Sequence, residues 1–393
     1  MQEPPLKGIR VIELGHLLAG PSVTSILADF GAEVIKVERK EGGDYARNFP
    51  DLGPSIWLNY NRNKKSIALD LKSEEGREIL YKLVKISDVV VENFGPGVAE
   101  RLKFSYEDLV KVNPKIIYCS VKAFTSDSLY KDRPGLDAVA QALGGTMSMT
   151  GQPGGPPCRF GNSATDLGAG IYGAFAILMA LIQREKTGKG QKIETALYDT
   201  AVYWNGYWIT YYDLFKKVPQ PLGSGHYAWC PYKAFKCKDG KWVFIGVTAD
   251  RHWQAFCKVM GLEGAANDPR FKTNADRVYH REIVERMVEE VVSKMTRDEV
   301  AEKLHAARVP CAPVRTIDEV ANDPDLINRG VIVEIEADGD KKAKVVVPPV
   351  TFVGYRIKIG RTPKLGEHTE EVLKLIGYSK DEIEELRKKG VIA

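Results

Sequence analysis

Short β-branched runs alternate with amphipathic stretches over the first two hundred positions. GIRVIEL (8–14), EVIKVE (33–38), Ser66–Leu71, DVVVE (88–92) and Ile116–Val121 read as buried strands. Helical patterns separate them: Val23–Phe30 ended by Gly31, Ser73 to about Ile86, and one opened by the capping-box pair Ser105/Asp108. A strand, helix, strand order repeated at this spacing predicts right-handed βαβ units and a doubly wound parallel α/β sheet. Ligands of such sheets meet the loops beyond the strands' carboxyl ends. Those loops are Gly15–Pro21, Arg39–Asp44, Asn93–Gly97 and Lys122 onward.

The longest apolar segment follows a Pro/Gly-rich loop. GQPGGPPCRFGNSATDLGAGIYGAFAILMALIQREKTGKG (151–190) predicts an irregular stretch, then a helix with one acid, Asp166, in its first turn. Asn162 and Ser163 are its candidate N-caps, and Arg184, Lys186 and Lys189 with nearby glycines form its basic stop. Acids are common at helix starts because they favour the macrodipole, so Asp166 alone carries no functional assignment. The helix N-terminus is expected to keep its carboxylate ionised. After Lys192–Leu197 comes an aromatic stretch, Tyr203–Phe215, of the kind that forms core or a subunit interface. Beyond Pro219 the pattern changes to a hairpin around Lys238-Asp239-Gly240 and helices begun by the capping boxes Thr296/Glu299 and Thr316/Glu319. This marks a smaller α+β domain over about 225–325. Strand-like segments at 331–335 and 344–347 and a helix from Ser379/Glu382 to Gly390 complete the chain.

Composition narrows the class. The 393 residues, 56 basic and 52 acidic, carry a net charge of +4 with no dense basic tract, which leaves nucleic-acid binding without a footprint. The start MQEPPLKGIRVIEL lacks the apolar core of a leader, and the run Ile171–Ile182 is shorter than a bilayer requires. The expectation is a cytoplasmic protein with no membrane partner. Six scattered cysteines without a CxxC pair argue against a metal site and for reduced thiols; Cys158 reads as a plain loop thiol. The turn GHLLAG replaces the GxGxxG fingerprint, so a bound dinucleotide is unsupported. Arg39, Arg101 and the Asn93-Phe94 pair lie in or beside the carboxyl-edge loops, where guanidinium groups and an aromatic face suit an anionic, nucleotide-bearing ligand.

Seven segments in order carry a family resemblance: AGPSVTSILADFGAEVIKVE (19–38), NRNKKSIALDL (61–71), DVVVENFGPG (88–97), PGLDAVAQALGG (134–145), DLGAGIYGAFAILMALIQREKTGKGQ (166–191), VPCAPV (309–314) and GEHTEEVL (366–373). Together they resemble the class III CoA-transferases, the family of formyl-CoA:oxalate and carnitine CoA-transferases that also contains 2-methylacyl-CoA racemases. The resemblance implies a large Rossmann-like domain built from residues 1–215 and 330–393, a small domain at 225–325, and two chains interlocked as a homodimer. It implies CoA transfer from an acyl-CoA to a small carboxylic acid, with no permanently bound cofactor. Asp166 is then the nucleophile. The positions matching CoA contacts are Leu18, Ala19, Arg39, Leu69, Asp70, Leu71, Lys72, Asn93, Phe94, Gly95 and Arg101. A carboxylate that attacks a thioester conserves its energy in a mixed anhydride, which ATP-free transfer requires. The Gly144-Gly145 amides and the loop before Asp166 are candidate oxyanion donors.

Departures from the family's motifs set the subtype. Racemases carry a His just before the acid matching Asp137; here it is Leu136, so α-proton exchange lacks one of its two acid/base groups and ranks second. Formyl-CoA enzymes have Tyr at that position and Gln where this chain has Leu18. The two leucines predict a less polar acyl pocket and an acid bulkier than oxalate, while a hydrophobic or aromatic acid, a dicarboxylate and a hydroxy acid all stay open. Leu136 and Asp137 are candidate substrate contacts. So are His226, in GSGHYAWCPY (223–232) where the family has a glycine lid, and His16, ahead of the CoA loop.

Overall fold

The structure is a computed structural model describing residues 3–337 and 341–393. The chain divides into two compact units. The larger comprises the chain up to Thr146, Arg159–Leu214 and Pro324 onward; the smaller comprises Met147–Cys158 and Phe215–Asp323.

The larger unit is built on six parallel strands: β1 (Arg10–Leu14), β2 (Glu33–Glu38), β3 (Lys64–Ala68), β4 (Val89–Glu92), β5 (Ile117–Lys122) and β6 (Gln191–Ala196). Their spatial order is β3-β2-β1-β4-β5-β6. In β1, Val11 lies in register with Val34 on one side and Val89 on the other. Helices α1 (Ala19–Asp29), α2 (Glu74–Lys85), α3 (Tyr106–Val112), α4 (Asp137–Leu143), α5 (Ala164–Thr187) and α6 (Leu197–Trp204) supply most of the covering layers.

Both sheet faces are covered, which is why the strands read as continuous apolar runs rather than alternating ones. Val11, Val34 and Val89 meet α1 and α5 through Val23, Leu27, Ala169 and Ile177. The next residue along each strand points the other way, so Ile12, Ile35 and Val90 meet α2 and α3. That second face also takes Val372, Leu373, Ile383 and Leu386 from the last two helices, and Leu69 bridges to Ile392.

Three expectations change. Helix α1 begins at Ala19, not Val23, because Pro21 sits in the first turn, where its missing N–H costs nothing. Strand β3 stops at Ala68; Leu69 N–H still donates to the Glu38 carbonyl of β2 at 2.9 Å, but Leu69 bridges antiparallel to Ile392, and the parallel ladder ends there. Helix α5 has 24 residues, about 36 Å. By length and composition it could cross a bilayer, because glycines and alanines extend the apolar run N-terminally. In this fold Ala169, Ala174, Ile177 and Ala180 are buried.

In the smaller unit Tyr232–Lys236, Trp242–Gly246 and Cys311–Pro313 form an antiparallel sheet. Trp253, Phe256, Val284, Val288, Val300 and Leu304 from its helices form its core.

Candidate active site

Strands β1 and β4 are neighbours whose connections leave in opposite directions, so the crevice of the sheet opens between their carboxyl ends. The loop after β4 grips the loop after β1 there. Asn93 accepts a hydrogen bond from His16 N–H at 2.8 Å and donates to the His16 carbonyl at 3.0 Å. The His16 ring lies between Tyr45 and Phe94, with centroids 5.2 and 5.3 Å away. Burial depresses its pKa although Asp44 opposes the shift, which keeps the imidazole neutral at pH 7. Its Nδ1 is buried with no hydrogen-bond partner. His16, Asn93, Phe94, Gly95, Lys122 and Arg133 are among the residues lining a cleft of about 500 Å³.

A buried charge network holds these loops from below. Lys36 Nζ contacts Glu13 at 2.6 Å and Asp44 at 2.7 Å, and Lys64 Nζ contacts Glu13 at 2.7 Å. Lys36 also donates to the Gly15 carbonyl, and Asp44 accepts from Leu17 N–H. That last bond helps keep Leu17 at φ 60, a conformation a non-glycine residue rarely adopts. Burial disfavours every charge here. Even so, the two lysines hold Glu13 below the usual carboxylate range, and Glu13 with Asp44 holds Lys36 above the usual lysine value. Burial and the Lys36 charge together bring Lys64 down to about 8, against the pull of Glu13.

Asp166 stands at the same edge of the sheet. Helix α1 follows β1 and α5 leads into β6, so both run against the strands and both begin at the carboxyl edge. They pack closely through glycine. A Cβ on Gly170 would lie 1.9 Å from Ser22 Oγ, and one on Gly173 would lie 3.0 Å from Val23. Asp166 is one helical turn before Gly170. Ser163 occupies the N-cap position but makes no side-chain cap bond. Asp137 does that work from α4: one oxygen accepts from Thr165 N–H at 2.8 Å and from Thr165 Oγ1 at 2.7 Å. Its other oxygen accepts from Gln141 at 2.6 Å. Asp137 is therefore turned inward with both oxygens engaged, rather than toward a ligand.

Asp166 is consequently not a lone, freely ionised acid, which corrects the expectation. Burial, and then the like charge of Asp137, push its pKa up to about 7. A nearly apolar cavity of about 340 Å³ adjoins the first turns of α5, lined in part by Gln141, Phe160, Thr165, Leu167, Ile171 and Trp204. The proposed oxyanion donors differ too: Gly144 N–H is bonded to the Ala140 carbonyl at 2.8 Å and Gly145 N–H to Ala142 at 3.4 Å, closing α4.

The remaining candidates are dispersed. Arg39 lies over the Tyr45 ring at 4.5 Å and donates to the Gly43 carbonyl, so Tyr45 links it to His16. Leu18 and Ala19 are buried at the start of α1, and Leu136 is exposed at the start of α4. Leu69 is buried, Asp70 accepts from Lys72 N–H at 3.0 Å, Leu71 is half-buried, and Arg101 is exposed at its helix end. His226 belongs to the smaller unit, where its ring packs on Trp229 at 4.4 Å. Sequence reading missed the roles of Thr165, Gln141 and the Glu13–Lys36–Lys64 network. The signals were present as charged residues inside apolar strands and as the i,i+4 spacing of Asp137 and Gln141.

The strand order places the larger unit in the doubly wound α/β class, and sequence comparison gives the family. The CoA-transferase family III model matches residues 6–369. The chain is 36% identical over 398 residues to the succinyl-CoA–L-malate CoA-transferase beta subunit of Chloroflexus aurantiacus, covering 99% of this chain and 98% of that one. It is 35% identical to human succinyl-CoA:glutarate CoA-transferase over 99% of this chain and 90% of the relative. A CAIB/BAIF family protein from Brucella suis superposes with a TM-score of 0.87 at 34% identity, over 95% of this chain and 100% of that chain. The chain belongs to CoA-transferase family III, and it is an enzyme of the CoA-transferase class.

Proposed function

We propose that the protein transfers CoA from succinyl-CoA to a second dicarboxylate through a covalent intermediate on Asp166. The observation that carries this is the half-buried Asp166 carboxyl in the first turn of α5, at the carboxyl edge of the sheet. Its carboxylate attacks the thioester carbonyl, the C–S bond breaks, and CoA leaves as the thiolate while an aspartyl–succinyl anhydride forms. The thiolate attacks the Asp166 carbonyl and expels succinate, leaving an enzyme–CoA thioester. The acceptor carboxylate then repeats these two steps in reverse and departs as its CoA ester, restoring Asp166.

The named substrates of the similar proteins, succinyl-CoA with malate or glutarate, support this acid class. Such acids are also bulkier than oxalate. Under this reading the cleft at His16, Asn93, Phe94 and Gly95 receives the CoA moiety, and Arg39, Leu18, Ala19, Leu69–Lys72 and Arg101 are its further contacts. The working form is a cytoplasmic, interlocked homodimer. Exposed Ile171, Phe175 and Ile182 on α5, with Tyr203, Tyr207 and Phe215 after it, support a large subunit interface.

The test is trapping. The protein is incubated with succinyl-CoA, quenched with hydroxylamine and digested. A hydroxamate at Asp166, and its loss in Asp166→Asn, is the expected result; an unmodified peptide from an active enzyme would refute the covalent route. A second reading, CoA-ester racemisation, would use Asp166 as a base: burial and the neighbouring Asp137 raise its pKa to about 7, which suits proton transfer. Solvent deuterium entering the α-carbon without exchange of acids would select it.

A further inference from the structure

We propose that Gln141 is a positioning residue for the reacting carboxylate, acting through Asp137 on the first turn of the helix that carries Asp166. The inference rests on Asp166 being the reacting group. Gln141 is fully buried, and both ends of its amide are used. Its carbonyl oxygen accepts from Phe160 N–H at 2.8 Å, in the loop leading into α5, and its NH₂ donates to Asp137 at 2.6 Å. The other oxygen of Asp137 takes both donors of Thr165, the residue next to Asp166. One chain of bonds thus runs from the entry loop through α4 to the catalytic turn.

The chain has a fixed polarity. Asp137 only accepts, so Gln141 must present its NH₂ there, and its oxygen then faces Phe160 N–H. No alternative amide orientation satisfies both neighbours. The pattern therefore sets the Thr165 backbone, and with it where Asp166 points and how close its charge lies to Asp137. The other charged groups on elements packed against α5 are paired or exposed: Asp29 on α1 pairs with Arg62 at 2.6 Å, Lys122 on β5 with Glu92 at 2.8 Å, Lys192 and Glu194 on β6 with each other at 3.0 Å, and Asp199 on α6 is exposed. Helix α1 brings Ser22 and Val23, α6 brings Thr200 and Trp204, and β6 brings Thr195. Strand β5 brings the Cys119 thiol, which burial pushes up to about 12 and so keeps neutral. In the entry loop, exposed Arg159 donates to the Phe160 carbonyl. Among the described residues, Asp137 is the charged group that raises the Asp166 pKa.

The experiment uses the full chain with Gln141→Met, Thr165→Val and Thr165→Ser. Asp166 is titrated by carboxyl ¹³C NMR, with Asp166→Asn assigning its resonance, and turnover is assayed with succinyl-CoA and glutarate. An Asp137 short of donors rotates away from the first turn, which lifts its charge from Asp166. The expected result is a midpoint at least half a pH unit lower in Gln141→Met and Thr165→Val, and near the wild-type value in Thr165→Ser. In turnover, kcat falls at least tenfold in the first two while KM for succinyl-CoA stays within twofold. An unchanged midpoint in folded Gln141→Met, or equal behaviour of Thr165→Val and Thr165→Ser, would overturn the proposal. Failure of wild-type protein to form the Asp166 hydroxamate would instead remove the covalent mechanism, and the titration would still judge the positioning role.

Discussion

Replacing Asp166 by Asn is expected to stabilise the protein while abolishing transfer, with a gain that depends on pH in a calculable way. Burial and Asp137 raise the Asp166 pKa from 3.8 to about 7. The folded state therefore binds this proton more tightly than the unfolded chain. Below pH 3.8 both states are protonated and the group costs nothing; as pH rises to about 7, folding increasingly requires uptake of a proton, and stability falls. Above pH 7 the loss is complete and corresponds to about 4 kcal/mol, an upper bound because the neighbouring structure relaxes. Asn keeps the size and removes the charge. Thermal unfolding of wild type and Asp166→Asn in matched buffers at pH 4, 6 and 8 reads the difference. The midpoints should nearly coincide at pH 4, and the variant should lead by several degrees at pH 8. A difference independent of pH, or a variant less stable at pH 8, would show that Asp166 is not held in an environment that resists its charge.

Three further outcomes follow from the site's supports. Lys36→Met leaves Glu13 and Asp44 as buried carboxylates without their central cation, and should lower stability by about 3–5 kcal/mol, measured by urea unfolding. Asn93→Ala strips both partners from the His16 backbone, costing about 1–3 kcal/mol. If that crevice holds CoA, KM for succinyl-CoA should rise more than kcat falls in steady-state assays. Gly170→Val forces α1 and α5 apart at Ser22 and should cost about 1–3 kcal/mol or more in stability, with a lower yield of Asp166 hydroxamate.

The run of β-branched strands and capped helices was enough to specify a parallel α/β sheet, because burial on both faces demands continuous apolar strands whatever their order. The capping boxes at Ser105, Thr296, Thr316 and Ser379 were equally legible, since each is closed within four residues of chain. Strand order was not. Placing β4 beside β1 is a long-range choice, and it alone brings Asn93 to His16 across 77 positions. Asp166 could be singled out in sequence, but its chemistry could not. Its nearest cap looked like Ser163, whereas the fold supplies Asp137 from another helix. Burial first, and then the Asp137 charge beside it, raise the pKa of an ordinary helix-start acid to about 7. A helix dipole is a property of local sequence; the dielectric around a carboxyl, and which charge stands beside it, belong to the packed structure.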